Sequence, residues 1–184
     1  MSASDPQLLT REWVQQLVIG EGLCPFAAPV FEQLRIDVCA ATKLTDITHA
    51  LVTLLREAAA TSPQQLPTAL FVVPNALHDF YTYLDWVDVC DQLLVDQGLE
   101  GEWQLATFHP RYQFAEEDMD DWSNYSNRSP FPMLHLIREA DIEAALADVS
   151  HPERIPERNK KHLRRLGREG LLQAAPALAK SGLL

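Results

Sequence analysis

Thr68-Ala69-Leu70-Phe71-Val72-Val73, closed by Pro74-Asn75, is apolar at nearly every position. Such a short run falls far below the roughly 20 residues that a membrane span needs, and it suits a strand covered on both faces. Helices that could cover it stand on either side in the chain. Upstream, Ile47, Leu51, Leu54, Leu55 and Ala58 recur at helical spacing and predict a helix over 46–60. Downstream, Phe80, Tyr83, Leu84, Val87, Cys90 and Leu94 predict a second over 79–97, with Gly98 as its cap. Outside these helices lie two further predicted strands, the alternating stretch 35–40 and residues 103–108.

Strand–helix–strand–helix–strand implies two right-handed crossovers and a parallel core. Helices should then cover both faces of the central strand. The expected fold is α/β: a single layered domain over residues 1–184, with a mainly parallel central sheet of about four strands. The remaining elements fit around it. A first helix starts at Asp5 and Pro6, both favoured at a helix start, carries Leu9, Trp13 and Leu17 inward, and ends at Gly20. Residues 22–29 read as a turn or short helix, 132–138 as a fourth strand and 141–147 as a short helix. Residues 156–169 form a basic helix, and 171–184 a weak helix or loosely docked tail.

Composition sets the outer bounds. The 184 residues are 47% hydrophobic and 22% charged, which is ordinary for a globular protein and excludes disorder, collagen and coiled coil. The net charge of −11 repels nucleic acid and acidic membranes as a whole. Residues 1–150 carry 7 basic and 23 acidic side chains, net −16, whereas 151–168 carry 7 basic and 2 acidic, net +5. That basic helix either complements the acidic body or engages an anionic partner. Three cysteines without a CxxC pair make neither a disulfide framework nor a zinc-ribbon spacing. No signal peptide is readable at the N-terminus, and a cytoplasmic location is expected.

In parallel α/β sheets, ligands bind outside the carboxyl ends of the strands. Those ends are 40–42, 74–75 and 109–110. Residues 109–131 then run without periodicity, and loops beyond about 12–15 residues are usually functional or disordered. If the fourth strand is antiparallel to the third, this loop arches over the same edge and gathers Asn75, His109, Arg111, Asn124, Asn127 and Arg128 there.

The chain also carries a family resemblance. Trp13-Val14 with Ile19-Gly20, Leu23-Cys24-Pro25-Phe26-Ala27, Thr68-Ala69-Leu70, Phe108-His109-Pro110 with Tyr112 and Phe114, Asn127-Arg128-Ser129-Pro130 running into His135 and Arg138, and Ile155-Pro156-Glu157-Arg158-Asn159 resemble a bacterial family known as domain of unknown function 1415 (DUF1415). The resemblance implies a bacterial cytoplasmic protein of similar length and brings no activity or residue roles.

The side chains supply the chemistry to weigh. Cys24, just before proline and near a helix start, is a candidate nucleophile with a lowered pKa, or a buried structural cysteine. His109 is a candidate general base or an anchor of the loop. His135, within an apolar strand, is a catalyst or a core histidine. Arg128 and Arg138 are anion candidates, with Asn127, Ser129 and Asn75 as neutral donors; alternatively the arginines hold the loop closed. Neither GxGxxG nor a P-loop occurs, and no cofactor is expected. The leading expectation is an enzyme, a hydrolase or group transferase, with a small anionic metabolite bound under loop 109–131. Two alternatives stand beside it. One is a non-catalytic module whose helix 156–169 binds an acidic partner or RNA through Lys160, Lys161, Arg164 and Arg165. The other is a zinc protein built on Cys24, His109 and His135.

Overall fold

Strand β2 (Thr68–Val72) is buried along its whole length, and its alternate side chains enter two separate cores. Ala69 and Phe71 pack with Leu134 and Leu136 against α3 (Leu44–Ala60) and α4 (Phe80–Asp96). Leu70 and Val72 point the other way. With Ile36 and Met133 they meet α1 (Pro6–Trp13), the π-helix Val14–Ile19 that continues it, α6 (Ile155–Ala174) and α7 (Pro176–Lys180). This computed structural model describes residues 5–147 and 149–184.

The sheet also contains β1 (Arg35–Val38), β3 (Trp103–Phe108) and β4 (Met133–Arg138), in the order β1-β2-β4-β3. β1 is parallel to β2, but β4 is antiparallel to both β2 and β3. The expectation of a mainly parallel sheet is therefore corrected: the fold is mixed α/β and most of its pairings are antiparallel. Strands β1, β2 and β3 still run in one direction, as two crossovers require. β4 wedges between β2 and β3, where both of its edges are paired. Its residues explain the choice: Met133, Leu134 and Leu136 are fully buried, whereas β3 buries only Trp103 and leaves Gln104 exposed, as an edge strand can. Both crossovers advance the same way across the sheet, so helices of one hand leave α3 and α4 on one face. The chain termini must then cover the other.

Local chemistry sets the helix ends. The Asp5 carboxylate accepts from the Gln7 N–H at 3.0 Å and Pro6 opens α1. The expected stop at Gly20 holds, but the last turn and a half before it winds as π-helix, a form frequent beside functional sites. α6 carries a break at Gly167, whose φ of 56° is the left-handed conformation that glycine adopts without steric cost. The break separates the basic half of α6 from an apolar half. Residues 171–184, expected as a weak helix or loosely docked tail, form the end of α6 and α7 and are packed on the body. Leu171, Ala175, Ala177 and Leu178 have no exposed surface, and the Leu183 carbonyl accepts from the Tyr125 hydroxyl at 2.9 Å.

The short α5 (Glu139–Ala147) follows β4 directly and buries none of its described side chains. A single turn, α2 (Ala27–Val30), lies between the π-helix and β1. Among the described residues no helix is long and apolar enough to cross a membrane.

Candidate functional site

Met133, the first residue of β4, pairs with both Val72 and Phe108. Loop 109–131 therefore leaves and rejoins the sheet at the carboxyl edge, as an antiparallel fourth strand requires. Apart from the exposed Arg111, the polar side chains gathered there are spoken for by backbone. His109 is fully buried; its Nδ1 accepts from the Arg111 N–H at 2.9 Å, so its Nε2–H donates to the Leu77 carbonyl at 2.9 Å. Burial lowers its pKa, against the pull of the Leu77 carbonyl, and the ring is packed beside Phe80 and Tyr83. Asn124 accepts from the Phe114 N–H and donates to the Asp118 carbonyl. Asn127 donates to the Thr107 carbonyl, Ser129 to that of Phe131, and Asn75 to that of Ala40.

Arg128 belongs to the same framework. Its guanidinium donates to the carbonyls of Tyr112 and Met119 and lies 4.8 Å from the centroid of the Tyr125 ring. It closes the loop through carbonyl oxygens, while the acidic run is met from elsewhere: Arg164 and Lys160 of α6 pair with Asp121 and Glu117. Arg138 lies on the opposite face of the sheet from His135, as strand alternation requires. It is buried over Trp103 and donates to the carbonyls of Ala58 and Thr61. It ties α3 and the following turn to β4.

An open space exists on the other face. A groove of about 920 Å³ runs over the β2-β4-β3 part of the sheet, floored by Thr68, Leu70, Gln104, Phe108, His135 and Ile137. One wall comes from the π-helix and the segment after it, including Val18, Cys24 and Phe26. The other comes from Pro67 and from Ile142 and Ala145 of α5. The lining is mostly apolar and, among the described residues, contains no lysine or arginine. Sites for small molecules commonly have this size and character, with a few polar groups fixing orientation.

The polar groups here are defined. The Thr68 hydroxyl has one hydrogen and donates it to the Leu136 carbonyl at 2.9 Å. It must therefore accept from the His135 Nε2–H, 2.6 Å away, which leaves the Nδ1 lone pair without a hydrogen-bond partner among the described residues. The imidazole lies on the groove floor between Leu70 and Ala106 of the neighbouring strands. It is walled by protein on its remaining sides, and this desolvation pushes its pKa down to about 4. Cys24, half-buried, faces the same groove. Burial raises its thiol pKa by more than the N–H groups of Phe26 and Ala27 lower it. The expectation of a lowered pKa is thus reversed, and near neutral pH the thiol keeps its proton. Trp13 adds a buried indole N–H that has no acceptor among the described residues.

The candidates therefore separate. Cys24 and His135 share the groove, His109 and Arg128 organise the loop, and Arg138 staples the far face. The zinc set of Cys24, His109 and His135 is not brought together, and among the described residues no group of three His, Cys, Asp or Glu side chains is placed to hold a metal. Reading the sequence missed Trp13, Gln104, Phe108 and Ile137 as lining. Thr68, the polar residue opening an otherwise apolar strand, was the one available signal.

Fold and site together describe a mixed α/β protein with an apolar groove on one face of its sheet. The chain belongs to the family described as a protein of unknown function, DUF1415, which matches residues 7–173. No curated protein and no solved structure matches it.

Proposed function

We propose that the protein binds an uncharged, elongated small molecule, with an apolar body and one hydrogen-bonding head, in the groove between β2-β4-β3 and α5. The carrying observation is the groove itself, about 920 Å³ of mostly apolar lining with no lysine or arginine among the described residues. A buried anion without a cation partner is costly, so the anionic metabolite expected under loop 109–131 is poorly served here. Under that loop, the candidate anion binder Arg128 already satisfies backbone carbonyls. The neutral imidazole of His135 offers an acceptor at Nδ1, and the Gln104 amide offers a donor. Cys24 is the one thiol in the groove, and with His135 it is the candidate for any chemistry done there. A cytoplasmic location belongs to the same reading and is supported by three free cysteines.

The test is displacement of the neutral dye Nile red, with 1-decanol and decanoate as competitors at pH 7. The expected result is dye binding, displaced by the alcohol more effectively than by the carboxylate. Ile137→Trp, which fills the groove floor, should abolish binding while urea denaturation shows the fold intact. Occupancy should also slow labelling of Cys24 by N-ethylmaleimide, read by mass spectrometry. Equal dye binding by folded wild type and Ile137→Trp would falsify the assignment.

A further inference from the structure

Helix α6 divides its positive charges between two faces. Lys160 and Arg164, one turn apart, face loop 109–131 and are neutralised by Glu117 and Asp121. Arg158, Lys161 and Arg165, spaced so that they share another face of the helix, line a separate cleft of about 470 Å³ against Glu21 and Gly22. Among the described residues no carboxylate lies within ion-pair distance of these three, in a chain that carries 26 acidic side chains and 15 basic ones.

The cleft is held in shape before anything binds. Arg158 donates to the Gly22 carbonyl at 2.7 Å and Asn159 to the Leu23 carbonyl at 2.7 Å, fixing the turn after the π-helix onto α6. Gly22 has a φ of 63°, which turns the chain there at no steric cost. His162 is set between two partners: its Nδ1 accepts from the Arg165 guanidinium at 2.9 Å, and its Nε2–H donates to Glu21 at 2.7 Å. This chain orients Arg165 beside the cleft and engages the one carboxylate. Three cations against Glu21 leave a net charge of +2 in the cleft.

We propose that this cleft is an anion site for a phosphorylated small molecule, with Lys161 and Arg165 as its principal contacts and Arg158 in support. A phosphate group carries about −1.5 to −2 charge at pH 7 and accepts several charge-assisted hydrogen bonds. That matches both the charge and the donors present. The site is independent of the apolar groove, from which it is separated by the segment 22–24, and it takes a ligand of opposite character.

Calorimetric titration of the full chain with inorganic pyrophosphate at pH 7.5, at low and moderate salt, tests it. Wild type should bind, and the double variant Lys161→Gln/Arg165→Gln should bind at least about tenfold more weakly, since two charge-assisted contacts are lost. Lys160→Gln removes the same charge from the other face and should bind as wild type does. Lys161→Gln alone removes an exposed side chain with no hydrogen bond in the fold, so weakened binding there separates a contact from a folding defect. Pyrophosphate should leave Nile red fluorescence unchanged, which keeps this result apart from the fate of the groove assignment. Absence of pyrophosphate binding by wild type, or equal weakening by Lys160→Gln, overturns the proposal. So does tighter, salt-sensitive binding of a single-stranded RNA oligomer or of phosphatidic acid vesicles, because the cleft would then serve a polyanion or a lipid surface.

Discussion

Loop 109–131 and the groove on the sheet face have opposite relations between polarity and space. The loop is rich in side chains of the kind that active sites use, yet His109, Asn124, Asn127, Arg128 and Ser129 all bond to backbone. The groove has few polar groups, yet one nitrogen of His135 is left without a partner among the described residues and the space beside it is open. A long irregular segment must satisfy its own N–H and C=O groups, and polar side chains do so cheaply. Density of polar residues in such a segment reports that need first.

The contrast can be broken by substitution. The largest expected effect is at His109. His109→Ala strands the buried Leu77 carbonyl and the part-buried Arg111 N–H and should cost about 3 kcal/mol in urea denaturation, while Nile red binding at neutral pH persists. Wild-type stability for that variant would mean the loop edge is not sealed. Arg128→Met should follow at about 2 kcal/mol, from two carbonyl bonds lost in a partly buried site. A catalytic or anion-binding role would instead leave stability unchanged.

The groove should respond to pH more than to truncation. The folded pKa of His135, about 4, lies below the value of about 6.5 for a free imidazole, so the unfolded chain binds more protons in that window. Its contribution to stability is complete above pH 6.5 and is lost as pH falls towards 4. Between pH 6.5 and 5 the loss should be about 1 kcal/mol, allowing for water in the groove. His135→Gln should flatten that slope in paired denaturation series, leaving the smaller, same-signed part that His109 provides. An unaltered slope would show that the imidazole is not desolvated. Last comes Ile137→Ala, expected to cost about 1 kcal/mol or less because one side of Ile137 already lacks packing, while weakening dye binding.

Much of the fold was legible in the sequence. Residues 68–73 announced a doubly buried strand, and the helical spacing on either side of them placed α3 and α4. What escaped was the position of β4. The wedge was readable in principle, because 133–137 is nearly as apolar as 68–73 while 103–108 carries polar residues at Gln104 and Thr107. Deciding which strand lies inside, however, requires comparing strands with one another. The site was less legible. Cys24 and His135 were singled out, but together with His109, which packs against Phe80 and Tyr83 of α4 and lies outside the groove they share. The groove exists because α5 leaves part of the sheet face uncovered, and a missing neighbour leaves no mark on the residues that would have touched it. Arg138, by contrast, could be placed on the face opposite His135 by counting along the strand.

The strand order has a consequence for how the molecule is made. β4 is last along the chain yet fills the gap between β2 and β3, and Thr68 finds its partner in Ile137, far along the chain. Until residues 133–138 emerge from the ribosome, β2 has one bare edge and β3 has no neighbour at all. Helices α3 and α4 can form and dock early, but they must hold two strands about 10 Å apart around a vacancy one strand wide. Non-local pairing of this kind is slow, and unpaired edges are where nascent chains associate wrongly. The final rung of the sheet is therefore the step at which synthesis, chaperone capture and aggregation compete.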